Sequence, residues 1–274
     1  MKKMYLILLL VFILVTIVVN QGCKKDHGDQ PTVPPQSSFV MNFSDLDSSQ
    51  APGKFQSMKL DSTGQYSNFL FAAGNVVVWN IILTVGLAVP VTSFIHSFSY
   101  QCVWNNHDDA WEWKYDFQVV ATTYSAKLKA TVSGSTVHWE MYISQQNGFQ
   151  DFLWYMGDSE FDNSHGTWTL YDNPTSNREL LGIVWHKNDN NGTSDITYTN
   201  IVPGGAENGG YISYGINTDT TYNAYYNIYN KGLNNLTCIK WDATHKNGRV
   251  SDSLHFGDSN WYCWDMDYIN ITCQ

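Results

Sequence analysis

The densest run of ligand-type side chains is Gly157-Asp158-Ser159-Glu160-Phe161-Asp162-Asn163-Ser164-His165-Gly166. Three acids and an imidazole so close together suit two chemistries: ligation of a divalent cation, or paired carboxylates for sugar hydrolysis. Asp158, Glu160, Asp162 and His165 are the candidates for either. The spacing lacks the glycine at the sixth position and the terminal acid of a calcium loop, so a polar loop between two tryptophan-bearing strands is the plainer expectation. His107-Asp108-Asp109 also puts an imidazole beside acids, but neighbours on a strand point to opposite faces. Asp265 and Asp267 share a face, where acids also guard an edge strand against aggregation. Asp189, Asn191, Thr193 and Asp195 alternate like a cation loop, although Asn-Asn-Gly as a hairpin turn explains most of them.

Familiar catalytic signatures do not occur. There is no nucleophile elbow, no His-Glu-x-x-His helix, no phosphate-binding glycine loop and no Cys-x-x-Cys pair. No residue is therefore assigned to catalysis or to a metal, and no cofactor is called for. The aromatic residues are the other source of function. Trp139, Trp154, Trp168 and Trp185 recur one per expected strand. With Met141 and Trp79 they could line a hollow that stacks sugars or encloses acyl chains; otherwise they pack a core.

Positioning these side chains falls to two kinds of element. Residues Asn68 to Phe98 form a long apolar segment, and no Asp, Glu, Lys or Arg occurs between Asp61 and Asp108. Three arrangements compete for it: a bilayer-crossing helix from Ser67 to Ala88, a pair of buried strands around Val76-Val77-Val78 and Ile81-Ile82, or a helical hairpin in the hollow of a curved sheet. The last is preferred, because an all-round apolar helix must be covered and the strands that follow offer a cover. Pro90 ends or kinks the helix, and a second short helix at Val91 to Phe98 can follow.

From Trp111 onward the chain reads as strands. Val137, Trp139, Met141 and Ile143 alternate with His138, Glu140, Tyr142 and Ser144, the pattern of a half-buried strand. Lys127 to Val132 alternates too, with Ser133-Gly134-Ser135 as a turn between the two. Further strands are expected at 111–121, 152–156, 166–171, 179–187, 194–201, 210–216, 222–229, 236–242, 249–256 and 262–272. The expected fold is mostly β: one strongly curved antiparallel meander, or half-barrel, of about a dozen strands, with the apolar helical segment against it.

The 274 residues carry a formal charge of -10, and removing the first 22, which hold Lys2 and Lys3 and no acid, makes it -12. Such a balance disfavours nucleic acid and anionic membrane faces as partners. The start of the chain gives an address. Lys2 and Lys3 precede an apolar run, Met4 to Val19, followed by Asn20-Gln21-Gly22-Cys23. This is the layout of a secretory signal. The Gly-Cys resembles the lipobox of bacterial lipoproteins, although Asn20 stands where Leu is usual. The relaxed lipobox with Lys24-Lys25-Asp26 behind it is similar to those of Bacteroidota. The resemblance implies acylation of Cys23 and a membrane partner through that lipid, at the cell envelope.

Residues 24–38, with three prolines and little that is apolar, read as a tether, and the single β-rich domain as 39–274. Lipidation leaves four thiols, Cys102, Cys238, Cys263 and Cys273, an even number in an oxidising compartment. Cys263 and Cys273 can bridge only if a turn separates them. In outline the expected shape is similar to lipoprotein-carrier folds, half-barrels plugged by helices. The leading functional expectation is a non-catalytic, lipid-anchored binding protein holding a hydrophobic ligand, with 68–98 as lid or plug. The alternatives are a glycan-acting enzyme or glycan-binding module using the 154–168 region, and an interaction module with no pocket.

Overall fold

The computed structural model describes residues 27–44, Leu46, 52–60 and 62–273. Cys23 and the signal segment lie outside the described residues. The main compact unit starts at Pro31. Within it Pro31 and Pro34 are buried and Asn163 Nδ2 donates to Thr32 Oγ1 at 2.8 Å, so residues 31–38 lie against the fold.

Fourteen strands follow one another in a single antiparallel meander, β1 to β14, each paired with its sequence neighbours. The first eight are β1 (Val103–Asn105), β2 (Ala110–Val119), β3 (Thr122–Ser133), β4 (Thr136–Gln145), β5 (Phe152–Glu160), β6 (His165–Asn173), β7 (Ser176–Asn188) and β8 (Thr193–Asn200). The rest are β9 (Tyr211–Ile216), β10 (Ala224–Asn230), β11 (Asn235–Trp241), β12 (Gly248–Asp252), β13 (Tyr262–Trp264) and β14 (Asn270–Ile271). The sheet is curved and does not close. Its edges, β1 and β14, are only three and two residues long, which limits strand addition from another chain.

The strand expected at 249–256 stops at Asp252. There the Asp252 carboxylate caps a single helical turn by accepting from the His255 amide at 2.8 Å, and Gly257 ends the turn at φ +80°. The expected strand at 262–272 is two strands with a turn between them. Across that turn Cys263 and Cys273 form a disulfide with Cα atoms 5.2 Å apart.

The helices are α1 (Pro52–Leu60), α2 (Ser67–Gly86), α3 (Ala88–Ser97) and α4 (Ser253–Phe256). The break between α2 and α3 falls at Leu87, which caps both. Pro90 sits in the first turn of α3, where its missing N–H costs no helical bond. Ala72, Ala73, Val76, Leu83 and Leu87 are buried, a helical stripe, whereas Val78 and Ile81 are 57 % and 59 % exposed. An apolar helix is thus covered on one side only. No helix among the described residues is long and apolar enough to cross a membrane.

The helix pair spans the hollow. α2 packs on β12, β13 and β14, and α3 packs on β2, at the other end of the sheet. Asn270 of β14 ties down the start of α2: its Nδ2 donates to Gly64 O and Ser67 Oγ, and its Oδ1 accepts from Asn68 N, all at 3.0–3.1 Å. At the far end Tyr115 Oη donates to Ser93 O at 2.6 Å. Between the two, Phe39 is fully buried against Phe94, Tyr155 and Trp168 with ring centroids 4.6, 4.7 and 5.7 Å away.

The strap behind Phe39 crosses the sheet with its backbone satisfied by tyrosines. Tyr198 Oη donates to Phe39 O at 2.7 Å and accepts from Met41 N at 2.9 Å, and Tyr226 Oη donates to Asn42 O. Burial pushes the Tyr198 phenol well above its usual range, so it remains a donor at any physiological pH.

The inner face carries large indoles opposite glycines. Gly157 lies between Trp139 and Trp168, Gly166 faces Trp185, and Gly248 lies between Trp241 and Trp264. A Cβ on Gly157 would stand 2.0 Å from Thr167 O and 2.7 Å from Trp168 Cε3, and one on Gly248 2.4 Å from Trp264 Cζ2. Only the missing side chain lets each indole lie flat across the neighbouring strand.

Two stability measurements follow from this packing. Gly157→Ala and Gly248→Ala should each cost about 2–3 kcal/mol in urea unfolding. Gly182→Ala, whose new Cβ would meet nothing nearer than 3.4 Å, should fall within about 0.5 kcal/mol of the parent. Equal losses at all three would mean that the indole contacts are not the constraint. Replacing both Cys263 and Cys273 by Ser should lower stability by about 2–3 kcal/mol. It should also speed amide exchange at Ser67 and Asn68 while leaving β3 and β4 protected; unchanged exchange at Asn68 would uncouple the disulfide from the helix.

Candidate functional site

The acid-rich segment does not converge. Asp158 and Glu160 end β5 and point outward, and His165 opens β6. Asp158 pairs with His138 of β4 at 2.8 Å, and Glu160 stands 4.0 Å from His165. Asp162 turns into its own loop, where the Ser164 hydroxyl and amide hold its carboxyl below the usual range. Each acid has a separate local partner, on the face away from the packed core. Among the described residues no group of three or more His, Cys, Asp and Glu side chains is placed to hold a metal ion.

Most of the expected ligand-lining aromatics are core. Trp139, Met141, Trp168 and Trp185 are at most 1 % exposed, and Trp154 packs against Phe149 and Phe152. Trp79 has a different setting. It stands on α2 in the wall of a cavity of about 890 Å³ between the helix and the second half of the sheet. Cavities of roughly 300–1,000 Å³ are the usual size for small-molecule sites.

The helix wall is built on a row at a spacing of four, Phe71, Asn75, Trp79, Leu83 and the cap Leu87, with Val78 and Gly86 beside it. Residues four apart on a helix stand one above another, so the row makes a continuous apolar strip with one amide in it. One N–H of that amide is engaged, because Asn75 Nδ2 donates to Phe71 O at 3.0 Å. The sheet supplies the floor through Leu181 of β7 and Ile228 of β10. Both are buried inner-face residues, smaller than the indoles elsewhere on that face.

Polar groups gather around the same cavity. Asp252 is 3 % exposed and accepts from Asn235 Nδ2 at 2.9 Å, from the Thr237 hydroxyl and from the His255 amide. Asp172 is paired with Arg178 at 3.0 Å, and Glu207 accepts from Gly232 N at 3.3 Å. The cavity thus combines an apolar wall with acids whose oxygens are already engaged. A second space of about 640 Å³ lies between the strap and the helices, lined by Met41, Asn80, Val91 and Tyr198, and Leu83 and Leu87 border both.

Of the residues singled out from the sequence, only Trp79 lines the large cavity. Leu83, Leu181, Ile228 and Asp252 were not foreseen there. A spacing of four from Trp79 would have selected the helix residues; the sheet residues required the register. Comparison with protein-family models, with curated proteins and with solved structures finds no match for this chain.

Proposed function

We propose that the protein is a non-catalytic, lipid-anchored binding protein of the cell envelope that holds a hydrophobic ligand between α2 and the sheet. The observation that carries this reading is the cavity of about 890 Å³ walled by Phe71, Trp79 and Leu83. An apolar wall offers a ligand favourable transfer from water but no group to act on it chemically. The acids nearest the cavity are bound to amides, a hydroxyl or an arginine, which suits orienting a polar end of the ligand rather than proton transfer. Helix α2 forms one wall of the space, with Val78 and Trp79 lining it and Ile81 exposed on its outer side. The acylated Cys23 would place this cavity at a membrane, the natural source of such a ligand.

Native mass spectrometry of the full-length chain in uncharged detergent, followed by organic extraction, tests the reading. A stoichiometric lipid or other apolar molecule is expected with the parent protein. Gly86→Phe, at a cavity-lining position where an added Cβ meets nothing within 4 Å, should lose it with little change in thermal unfolding. A clean unliganded mass for the parent, or equal retention by the variant, would overturn it.

A further inference from the structure

The outer face of the sheet holds a second arrangement that the cavity does not use. Lys240 on β11 and Arg249 on β12 stand directly opposite each other in register. Like charges in that relation destabilise a sheet. The chain has 25 acidic and only 15 basic residues, so most cations could find a carboxylate. Among the described residues neither of these two makes an ion pair or a side-chain hydrogen bond to the protein.

Aromatic rings hold them instead. The Arg249 guanidinium lies between Tyr222 and Trp261, with 4.7 and 4.4 Å to the ring centroids, and Lys240 Nζ lies 5.7 Å from Trp261. Arg249 Nε is sealed and without a partner, which leaves the outer edge of the guanidinium as the donor edge. Asp219 is committed to the loop: its Oδ1 accepts from Thr221 N at 2.8 Å and Tyr222 N at 3.1 Å, and those bonds, with the charges of Lys240 and Arg249, keep its carboxyl below the usual range. Those bonds position Tyr222 beside the arginine.

The row continues along the strands. Tyr225 of β10 faces Lys240 across the ladder and lies over Gly215 of β9, where an added Cβ would be 2.5 Å from Tyr225 Oη. From β9 to β12 the row spans about 14 Å at the usual strand spacing. It offers aromatic rings beside two adjacent cations that make no direct ion pair among the described residues, although the Asp219 charge lies within their reach.

We infer that this outer-face row binds an acidic saccharide, with Arg249 and Lys240 taking its carboxylate or sulfate and the rings of Tyr222, Tyr225 and Trp261 packing on the sugar. Charge-assisted bonds from a planar, pre-oriented guanidinium suit either oxyanion. Sugar rings pack well on aromatic side chains that present an apolar body and a polar tip. Two cations on a chain of charge -10 are too few for a nucleic acid, whose binding scales with the number of phosphates neutralised.

Calorimetric titration of the full-length chain in uncharged detergent tests this with three hexasaccharide probes: a uronate, a sulfate ester and an uncharged sugar. Binding of the uronate, the sulfated probe or both is expected, weakening as salt is raised, with none for the uncharged sugar; which acidic probe binds tells carboxylate from sulfate recognition. Lys240→Gln and Arg249→Gln should each weaken it about tenfold. Lys240→Gln should leave thermal unfolding unchanged or raise it, since it relieves the cross-strand repulsion. Lys114→Gln, removing a cation already 2.5 Å from Glu112, should leave binding as it was. Failure of both acidic probes to bind the parent, or equal binding by the Lys240 and Arg249 variants, would overturn the inference.

Discussion

A fourteen-stranded sheet that curves without closing has an entire inner face to bury, and here the helix pair α2 and α3 does much of that work. Because α2 packs on the last strands and α3 on β2, the pair bridges the two ends of the sheet in place of the hydrogen bonds that would close a barrel. The break at Leu87 and the proline after it belong to this function, since they divide one apolar segment into two helices. Asn270 and the Cys263–Cys273 disulfide fix one end of the bridge, and Tyr115 fixes the other.

Filling the hollow also explains the aromatic richness of the chain. Indoles bury large apolar areas on strands, but neighbouring strands lie only about 4.8 Å apart, too close for bulky groups on every one. The alternation of Trp139, Gly157 and Trp168, and of Trp241, Gly248 and Trp264, resolves that crowding. Toward Leu181 and Ile228 the alternation gives out, and the cavity lies there. The tyrosines have a second task, because their hydroxyls satisfy the buried backbone of the strap from Phe39 to Asn42. An unpaired backbone group in that position would be costly.

The two faces of the sheet divide the chemistry between them. The inner face is largely apolar and leaves one large space beside α2, where the buried Asp252 also lies. The outer face carries titratable side chains held as local pairs, such as His138 with Asp158 and His186 with Asp195. Lys240 and Arg249 differ from that pattern in being held by rings and not by acids.

Much of the fold was legible in the sequence because it rests on local periodicity. The alternation along 136–144, the hairpin turns, the apolar helix and its break before Pro90 all lie within a few residues of one another, and the structure keeps them. The short strand β1 was not legible, having too few residues to show a period, and β13 and β14 read as one strand because the turn between them leaves each too short to show its own. The disulfide required knowing that a turn separates Cys263 from Cys273. The candidate sites depend on longer-range facts. Asp158, Glu160, Asp162 and His165 are close in sequence, yet strand direction and the turn send Asp158 to His138 and Asp162 into its own loop, leaving only Glu160 facing His165. Trp79, Leu181 and Ile228 are far apart in sequence and border one space only in the folded chain. Composition and short-range pattern determined that the chain would be a curved meander with an apolar helix against it. Which side chains face a common space was decided only by register and by the path of the helix, because both are set by contacts between residues distant in the chain.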